Sequence, residues 1–310
     1  MRALQYKCFG DDEVLHLVDV PDLHPGPGQV RVAVRAASVI PLDWKLRSGH
    51  LKHLFEIEFP KTPGRDGAGV IDEVGEGVDF AAVGDAVCVV AQPTEQGTHS
   101  EYFICERDAI VPKPEHLTFP EAAALMHAGV CAWISVVEQG QVRPGMQVLV
   151  HGGSGAIGGM AIQIAKSLGA HVSTTCRSTN VEYVKGLGAD EVCAYDTTDF
   201  AQVFHDQDLV IDLIGGEVHR KSYDTLRSDG HLVYLIAAPF QTPENTRNIR
   251  AARAVIHDRP EALAAVIKLV SDRVVHPQVF QTMPLNRARE AFRLLEAGHV
   301  TRGRVILDIS

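Results

Sequence analysis

A glycine-rich turn between an apolar run and an amphipathic segment constrains the fold of this chain more than any other feature. Residues 148–170 read VLVHGGSGAIGGMAIQIAKSLGA. The first three residues are typical of a buried parallel strand, and the apolar residues after the glycines recur at helical spacing. The glycines follow the G-x-G-x-x-G spacing, which suits a tight turn where a pyrophosphate approaches the backbone at a helix N-terminus. A plain strand-to-helix bend would use the same glycines. In this context we expect a dinucleotide site formed by Gly153, Ser154, Gly155, Ala156, Ile157 and Gly158.

The composition excludes several classes of protein. The chain has 310 residues, enough for two domains, and a net charge of −10 with a pI of about 5.8. Its basic residues are spread out, which argues against a nucleic-acid-binding face. It has no run of about 18 apolar residues for a membrane span, and its first residues lack the apolar core of a signal peptide. The cysteines occur singly, without a C-x-x-C pair. We therefore expect a soluble, cytoplasmic protein with reduced cysteines.

The order of the expected elements divides the chain into three parts. Residues 1–117 contain short β-type segments between turn signals, which indicates a β-rich domain. The spacing of Thr118 and Glu121 is that of a capping box and starts a long helix. Strands and helices then alternate over 118–258, which predicts an α/β domain with a doubly wound parallel sheet. Residues 259–310 add two helices and a last strand.

The end of the second strand of the α/β domain predicts the choice of nucleotide. This position selects NAD when it carries a carboxylate, and it admits the 2′-phosphate of NADP when it carries cationic or small polar residues. Here the strand ends with Thr175, Cys176, Arg177 and Ser178, without an acid. Because a guanidinium binds phosphate bidentately, we expect NADP(H). A solvated Arg177 in a site that accepts both nucleotides is the alternative.

Other strand ends supply further candidates for the nucleotide site. Tyr195 ends the third strand, where it would pack on adenosine or donate to the phosphate; packing at the strand end alone is the alternative. Leu213 and Ile214 follow the fourth strand, and Ile236 and Ala237 follow the fifth. In open parallel sheets the ligand lies beyond the carboxyl ends of the strands, so all of these are expected beside the nucleotide.

The chain resembles the medium-chain dehydrogenase/reductase superfamily and, within it, the zinc-free quinone oxidoreductase (zeta-crystallin-like) branch. The resemblance rests on several blocks in order along the whole chain, which are more specific than one glycine motif. The blocks are PLDWKLRSG at 41–49, PGRDGAGV at 63–70, VG at 74–75, VGD at 83–85, the glycine turn, and EAGHVTRGRVIL at 296–307.

This resemblance implies an architecture and an assembly. Residues 1–117 would form a GroES-like catalytic domain, 118–258 a Rossmann domain, and 259–310 a segment that returns to the first domain. Nicotinamide and substrate would meet in the cleft between the domains. Arg302 and Arg304, in place of the family's basic residue near the C-terminus, would keep positive charge that reaches the cofactor. The family also implies a homodimer through the sheet edge near 231–240.

The family's zinc positions carry residues that cannot bind zinc. Where its alcohol dehydrogenases have a cysteine and a Gly-His-Glu, this chain has Ile40 and Gly64-Arg65-Asp66, and the four-cysteine lobe is missing between Ala91 and Ser100. The resemblance therefore implies no metal. Without a Lewis acid, conjugate reduction is the favourable chemistry, because the developing enolate or hydroquinone oxygen needs only hydrogen bonds and a proton.

The sequence suggests three candidate catalytic residues, each of which also has an alternative role. Lys45 occupies the position of a family tyrosine near the cofactor, so it would approach the nicotinamide or stabilise an oxyanion; a surface lysine beside Asp43 is the alternative. His127 and Cys131 match family positions near the nicotinamide amide, where His127 could donate a proton. Either residue could instead serve only in packing. Asp43 and Arg47 are expected to form a pair that shapes their loop.

The function that follows is an NADPH-dependent reductase of quinones or α,β-unsaturated carbonyls that works without zinc. Two alternatives stay open. The first is a non-catalytic NADPH-binding sensor or structural protein, which Ile40 favours because the family usually has an asparagine there. The second is an enoyl-thioester reductase.

Overall fold

The computed structural model of the protein describes residues 1–235 and 247–309. The strands are β1 (Arg2–Gln5), β2 (His16–Asp19), β3 (Val30–Val39), β4 (Asp66–Val74), β5 (Ala86–Val90), β6 (Tyr102–Cys105), β7 (Ile110–Pro112), β8 (Gln147–His151), β9 (His171–Cys176), β10 (Glu191–Ala194), β11 (Gln207–Asp212), β12 (Leu226–Tyr234), β13 (Arg250–Arg253), β14 (Val279–Pro284) and β15 (Arg304–Asp308). The α-helices are α1 (Pro41–Arg47), α2 (Phe119–Ala123), α3 (Met126–Trp133), α4 (Ala156–Ser167), α5 (Val181–Gly186), α6 (Gly216–Thr225), α7 (Pro260–Ser271) and α8 (Ala288–Glu296). A π-helical turn (Ile134–Gln139) follows α3.

Contacts divide the chain into two compact units. The first comprises Met1–His127, Asp258–Ile267 and Pro277–Ser310, and the second comprises Ala128–His257 and Lys268–His276. The boundary thus falls at His127, later than the expected residue 117, because α2 packs on strands of the first unit. Most of the C-terminal segment lies in the first unit, but residues 268–276 lie in the second.

The first unit is built around a seven-stranded sheet with the order β14-β15-β3-β4-β5-β7, in which β6 also pairs with β3. The alternating valines of β3 place one face in the core, where they pack with Ile71 and Phe292. Strand β4 lies very close to its neighbour β3 at Gly69. A Cβ on Gly69 would lie 2.2 Å from the Ala33 carbonyl oxygen, so a glycine is required at this position.

The expected long helix after Thr118 is interrupted. The capping box itself is present: the Thr118 hydroxyl accepts a hydrogen bond from the Glu121 amide at 3.4 Å, and a Glu121 carboxylate oxygen accepts from the Thr118 amide at 2.8 Å. Helix α2 ends at Ala123, however, and α3 begins at Met126. Apolar residues continue through this segment without interruption, so the end of one helix and the start of the next could not be predicted from the sequence.

The second unit contains the predicted parallel sheet, with the order β10-β9-β8-β11-β12-β13. Every neighbouring pair is parallel. The order reverses between β8 and β11, which is where open α/β sheets bind ligands. The expected α/β fold is therefore confirmed. Strand β12 pairs with β13, so within the described residues β13 rather than β12 lies at this side of the sheet; the homodimer through the sheet edge stays a prediction.

Two further features bear on the function. No helix among residues 1–235 and 247–309 combines the length and apolar character needed to cross a bilayer. All six cysteines are free thiols; Cys8 is exposed and the other five are buried.

Candidate functional site

The glycine turn has the close packing that its sequence predicts. It follows β8, with Gly152 at a φ of +75°, and Gly155 is the N-cap of α4. A Cβ on Gly153 would lie 2.0 Å from the Thr174 Oγ1, and one on Gly158 would lie 2.3 Å from the Gly152 carbonyl oxygen. Side chains at these two positions would force the turn open. The backbone geometry therefore depends on glycine.

The start of α4 offers amide groups for an anion. The Gly159 amide is the first in the helix to bond back, to the Gly155 carbonyl at 2.8 Å. The amides of Ala156, Ile157 and Gly158 therefore have no acceptor within the helix. Around Gly155 a Cβ would meet nothing closer than 3.4 Å. Unpaired amides, the positive helix end and open space fit the diphosphate of a dinucleotide.

A buried polar layer lies beneath the glycine turn, and sequence analysis did not predict it. His151 contacts the hydroxyls of Thr175 and Ser222, each at 3.1 Å, and the Gly152 amide donates to the Thr175 Oγ1 at 3.3 Å. Burial lowers the pKa of His151 to about 4, so its ring is neutral at physiological pH. Thr175 thus holds the turn, in addition to its expected place beside the nucleotide.

A second buried group closes the end of β11. Asp212 accepts hydrogen bonds from the Ile214 and Gly215 amides, each at 2.9 Å, and its other oxygen lies 2.9 Å from His219 Nδ1. This fixes the loop that carries Leu213 and Ile214. Leu213 is half-buried and Ile214 is exposed at the carboxyl end of the sheet; their contact with a nucleotide stays a prediction. Ile236 and Ala237 lie outside the described residues.

The residues expected at the 2′-phosphate come together at the ends of β9 and β10. Arg177 and Tyr195 are both exposed, and the Arg177 Nε donates to the Tyr195 hydroxyl at 3.1 Å. Ser178 is bound by Asp196, which accepts from its amide at 2.8 Å and its hydroxyl at 2.7 Å. These hydrogen bonds lower the pKa of Asp196, which favours its charged form. A carboxylate that was not predicted from the sequence therefore lies beside Arg177 and Tyr195.

Arg304 has a different role from the one expected of it. It is 5% exposed, and its guanidinium binds the buried carboxylate of Asp66 and the Ser38 hydroxyl. Asp66 also accepts the His127 amide at 2.9 Å. Burial raises the pKa of Asp66, while the guanidinium opposes the rise. The positive charge of Arg304 is thus neutralised by Asp66 within the first unit. The neighbouring Arg302 is exposed.

The expected pair of Asp43 and Arg47 is wrong. Asp43 is buried and accepts the amides of Ile40 at 2.9 Å and Gly64 at 3.1 Å, which ties α1 to the next loop. Arg47 instead lies 2.8 Å from Glu296. Sequence proximity suggested the pair, but the partner of Arg47 comes from the distant helix α8.

The three candidate catalytic residues lie on helices α1 and α3. Lys45 is half-buried, with its amine 5.7 Å from the Trp44 ring centroid. His127 is the last residue of the first unit, and Cys131 is buried in the second. Burial, together with the charges of Arg65 and Arg304, holds the pKa of His127 well below its usual value. A protonated His127 at neutral pH is therefore unfavourable.

The positions that correspond to zinc ligands hold an apolar residue and an ion pair. Ile40 is 2% exposed, and the Arg65 guanidinium binds the Ala91 carbonyl oxygen and Asp258. In the part of the chain that the structure describes, no group of three or more His, Cys, Asp or Glu side chains is arranged to hold a metal ion.

A small polar cavity adjoins this ion pair. It is lined by Tyr6, Leu42, Asp43, Leu46, Lys61, Pro63, Gly64, Arg65, Gln92 and Pro93. Lys61 and Asp258 were not singled out from sequence, because neither belongs to a recognisable motif and only tertiary packing buries them.

Comparison with known proteins gives consistent matches. The alcohol dehydrogenase GroES-like domain matches residues 26–115, and the zinc-binding dehydrogenase domain matches 187–307. The human mitochondrial NAD(P)H oxidoreductase RTN4IP1 is 30% identical, with 100% of this chain and 89% of that protein covered. The chloroplast envelope quinone oxidoreductase homolog of Arabidopsis thaliana is 29% identical, covering 99% of this chain and 98% of that protein. The solved quinone oxidoreductase of Coxiella burnetii is 33% identical, with a TM-score of 0.89 over 100% of this chain and 99% of that one.

Proposed function

The chain belongs to the medium-chain dehydrogenase/reductase superfamily, in its quinone oxidoreductase branch, and on that premise we propose that it is an NADPH-dependent reductase of quinones or α,β-unsaturated carbonyls that works without zinc. The observation that carries the nucleotide part is the glycine turn, where a side chain at Gly153 or Gly158 would clash and where α4 presents amides without acceptors in the helix. Members of this family are oxidoreductases that use nicotinamide nucleotides, which agrees with that geometry.

The residues of the second unit would hold the nucleotide. Amides of Ala156 and Ile157 would bind the diphosphate, because a helix N-terminus favours negative charge. Arg177 and Tyr195, already hydrogen-bonded to each other, would bind the 2′-phosphate of NADP. Asp196 competes for this region, so NADPH preference is a balance between one guanidinium and one carboxylate. When bound, the nucleotide supplies a hydride from its nicotinamide ring.

The donor set supports a reaction without zinc. Zinc in catalytic sites takes three ligands from Cys, His, Asp and Glu. At the corresponding positions Ile40 offers no donor atom, and Arg65 is a cation that would repel a metal ion. Conjugate reduction of an enone or quinone suits such a site, because its product oxygen needs hydrogen bonds and a proton rather than a Lewis acid.

The test is to supply NADPH with a naphthoquinone, an alkenal or a crotonyl thioester, each in a separate assay. Oxidation of NADPH is measured as the loss of nicotinamide absorbance. We expect turnover with the quinone or the alkenal. Turnover with the thioester alone would favour the enoyl-thioester reductase. Tight NADPH binding without turnover of any of them would favour the sensor, for which the buried Ile40 is the supporting observation.

The same proposal covers the cellular location of the protein, its oligomeric state and the remaining site residues. A cytoplasmic location and a homodimer are expected, and size-exclusion chromatography with light scattering would measure the assembly. Because β12 is covered by β13, a dimer through this side of the sheet would use β13 rather than β12. Lys45, Cys131 and Arg302 stay proposed contacts of the nicotinamide or the substrate.

A further inference from the structure

Lys61 is a buried lysine without a partner for its amine. It is 3% exposed, and its backbone is fixed by two hydrogen bonds with the backbone of Tyr6, at 2.9 and 3.0 Å. Among residues 1–235 and 247–309 no hydrogen bond or ion pair engages its Nζ, and this atom keeps contact with solvent. Lysine is almost never fully buried unless it is paired. Because the rest of the side chain is buried, the ammonium group is only partly hydrated, and a function is a common reason for keeping such a group.

Lys61 is one of the residues that line the small cavity of the first unit, whose volume of about 10 Å³ leaves room for a single water-sized group. Arg65 lines the same cavity, so two cations face it, and Asp43 is the carboxylate on its wall. A single oxygen atom fits its size, and two cations suit an oxygen that becomes negatively charged.

Arg65 has unused hydrogen-bonding capacity at this place. Its Nη1 and Nη2 are engaged by Ala91 and Asp258, but its Nε is buried and has no hydrogen-bond partner within the described chain. A buried donor without a partner costs free energy that a bound acceptor would recover. The cavity thus has two positively charged side chains with donors to spare.

The surroundings of Lys61 keep its proton exchangeable near neutral pH. Burial, together with the charge of Arg65, lowers the pKa of Lys61 to about 8, while the carboxylates of Asp43 and Glu95 oppose the change. Tyr6 and His99 are the other titratable groups near the cavity, and burial keeps both uncharged by raising the pKa of Tyr6 and lowering that of His99. An acid that titrates close to the working pH transfers protons efficiently.

We infer that the cavity between Lys61 and Arg65 receives the oxygen atom that becomes negative when the substrate is reduced, and that Lys61 gives this oxygen its proton. The inference rests on the proposed function and adds the catalytic groups. After an enone or quinone has taken up a hydride from the nicotinamide nucleotide, the displaced electron pair resides on the substrate oxygen. An O–H bond then forms as an N–H bond of Lys61 breaks, and the neutral amine regains a proton from solvent. Arg65 stabilises the anion and keeps its proton.

His127, predicted from sequence as a proton donor, and Lys45, predicted to approach the nicotinamide or stabilise an oxyanion, fit this role less well. His127 is neutral at physiological pH, because burial holds its pKa well below the usual value. The Lys45 amine lies over the Trp44 ring in a half-buried position. Neither residue lines the cavity.

The experiment compares the wild type with Lys61→Met, Lys61→Gln and the matched control Lys52→Met, in which an exposed lysine is replaced. The first readout needs no turnover: NMR titration of lysine side chains carrying ¹³C at Cε, with the Lys61 signal assigned by its absence from Lys61→Met. We expect a midpoint of about 8. A midpoint near the ordinary 10.5 overturns the inference.

The second readout is the pH profile of kcat/KM with a quinone, together with the Kd for NADPH. We expect both Lys61 variants to lose about 100-fold in kcat/KM, the usual contribution of a positioned acid, with an unchanged Kd for NADPH. In the wild type kcat/KM should fall as pH rises through about 8, and the variants should lack this limb. Lys52→Met should match the wild type.

The outcomes separate the two proposals. An active wild type whose Lys61 variants keep full kcat/KM and the same pH limb overturns the role of Lys61 alone. A wild type that binds NADPH but reduces no acceptor overturns the proposed function, and the inference with it.

Discussion

Replacing Lys61 by methionine should make the protein more stable, by an amount that depends on pH. Methionine has nearly the same length as lysine and an apolar end, so it fills the space of the stem without a buried charge. The change removes the Lys61 amine, which has no hydrogen-bond or ion-pair partner in the described part of the chain. It therefore isolates the cost of burying an ammonium group in this position.

The magnitude follows from the pKa of Lys61, which burial lowers from 10.5 to about 8. One pKa unit corresponds to about 1.4 kcal/mol, so the buried ammonium costs the native state about 3 kcal/mol. Because the native pKa lies below the unfolded one, the unfolded chain binds this proton more tightly. The cost is present in full below about pH 8 and fades as the pH rises toward 10.5. The stability of the wild type should rise across this window, and the advantage of Lys61→Met should shrink.

Equilibrium urea unfolding of the full chain measures this difference, as the shift in midpoint multiplied by the slope. We expect Lys61→Met to exceed the wild type by about 3 kcal/mol near neutral pH and by much less near pH 10. Lys52→Met, an exposed replacement, should change stability by no more than about 0.5 kcal/mol at either pH. A Lys61→Met variant less stable than the wild type at neutral pH, or a gain that does not vary with pH, would refute the reasoning.

Three other predictions concern the nucleotide and the metal. Gly153→Ala should abolish NADPH binding in calorimetry, because its Cβ would lie 2.0 Å from a threonine oxygen. The control Gly186→Ala, which has open space around the new Cβ, should bind NADPH normally. Normal binding by Gly153→Ala would show that the turn is not the nucleotide site. Arg177→Ala should weaken NADPH by about 10-fold or more, in line with about 1.5–3 kcal/mol for a charged hydrogen bond, and should leave NADH nearly unchanged. Exposed Arg143→Ala is its control, and equal weakening of both nucleotides would contradict the 2′-phosphate assignment. Elemental analysis should find no stoichiometric zinc and chelators should not lower activity; one zinc per chain would reverse the proposed mechanism.

The parts of the molecule that sequence analysis predicted correctly are those with a local cause. The glycine turn needs residues without a Cβ at fixed spacing, and the parallel strands need short runs that are apolar throughout. The capping box at Thr118 is likewise decided within four residues. In each case the pattern and the structural requirement lie in the same short stretch of chain.

The parts that it missed depend on residues distant in sequence. Arg304 finds Asp66 across 238 positions, so a basic residue expected at the cofactor proves to be an internal ion pair. The partner of Arg47 is Glu296 rather than nearby Asp43. Lys61 looks like a surface lysine in a proline-rich loop, and only its pairing with Tyr6 buries it. No periodicity reports such burial, because it depends on which strands become neighbours.

The burial of the cysteines has a consequence for a protein proposed to work on electrophiles. Quinones and enones alkylate thiolates, and the thiolate rather than the thiol is the nucleophile. Burial raises the pKa of Cys88 and Cys105 to about 12 and that of Cys176 to about 11, so these sulfurs stay protonated as well as inaccessible. The exposed Cys8 is then the first sulfur open to adduct formation. A protein with the proposed activity would therefore expose one thiol, that of Cys8, to reactive acceptors in solution.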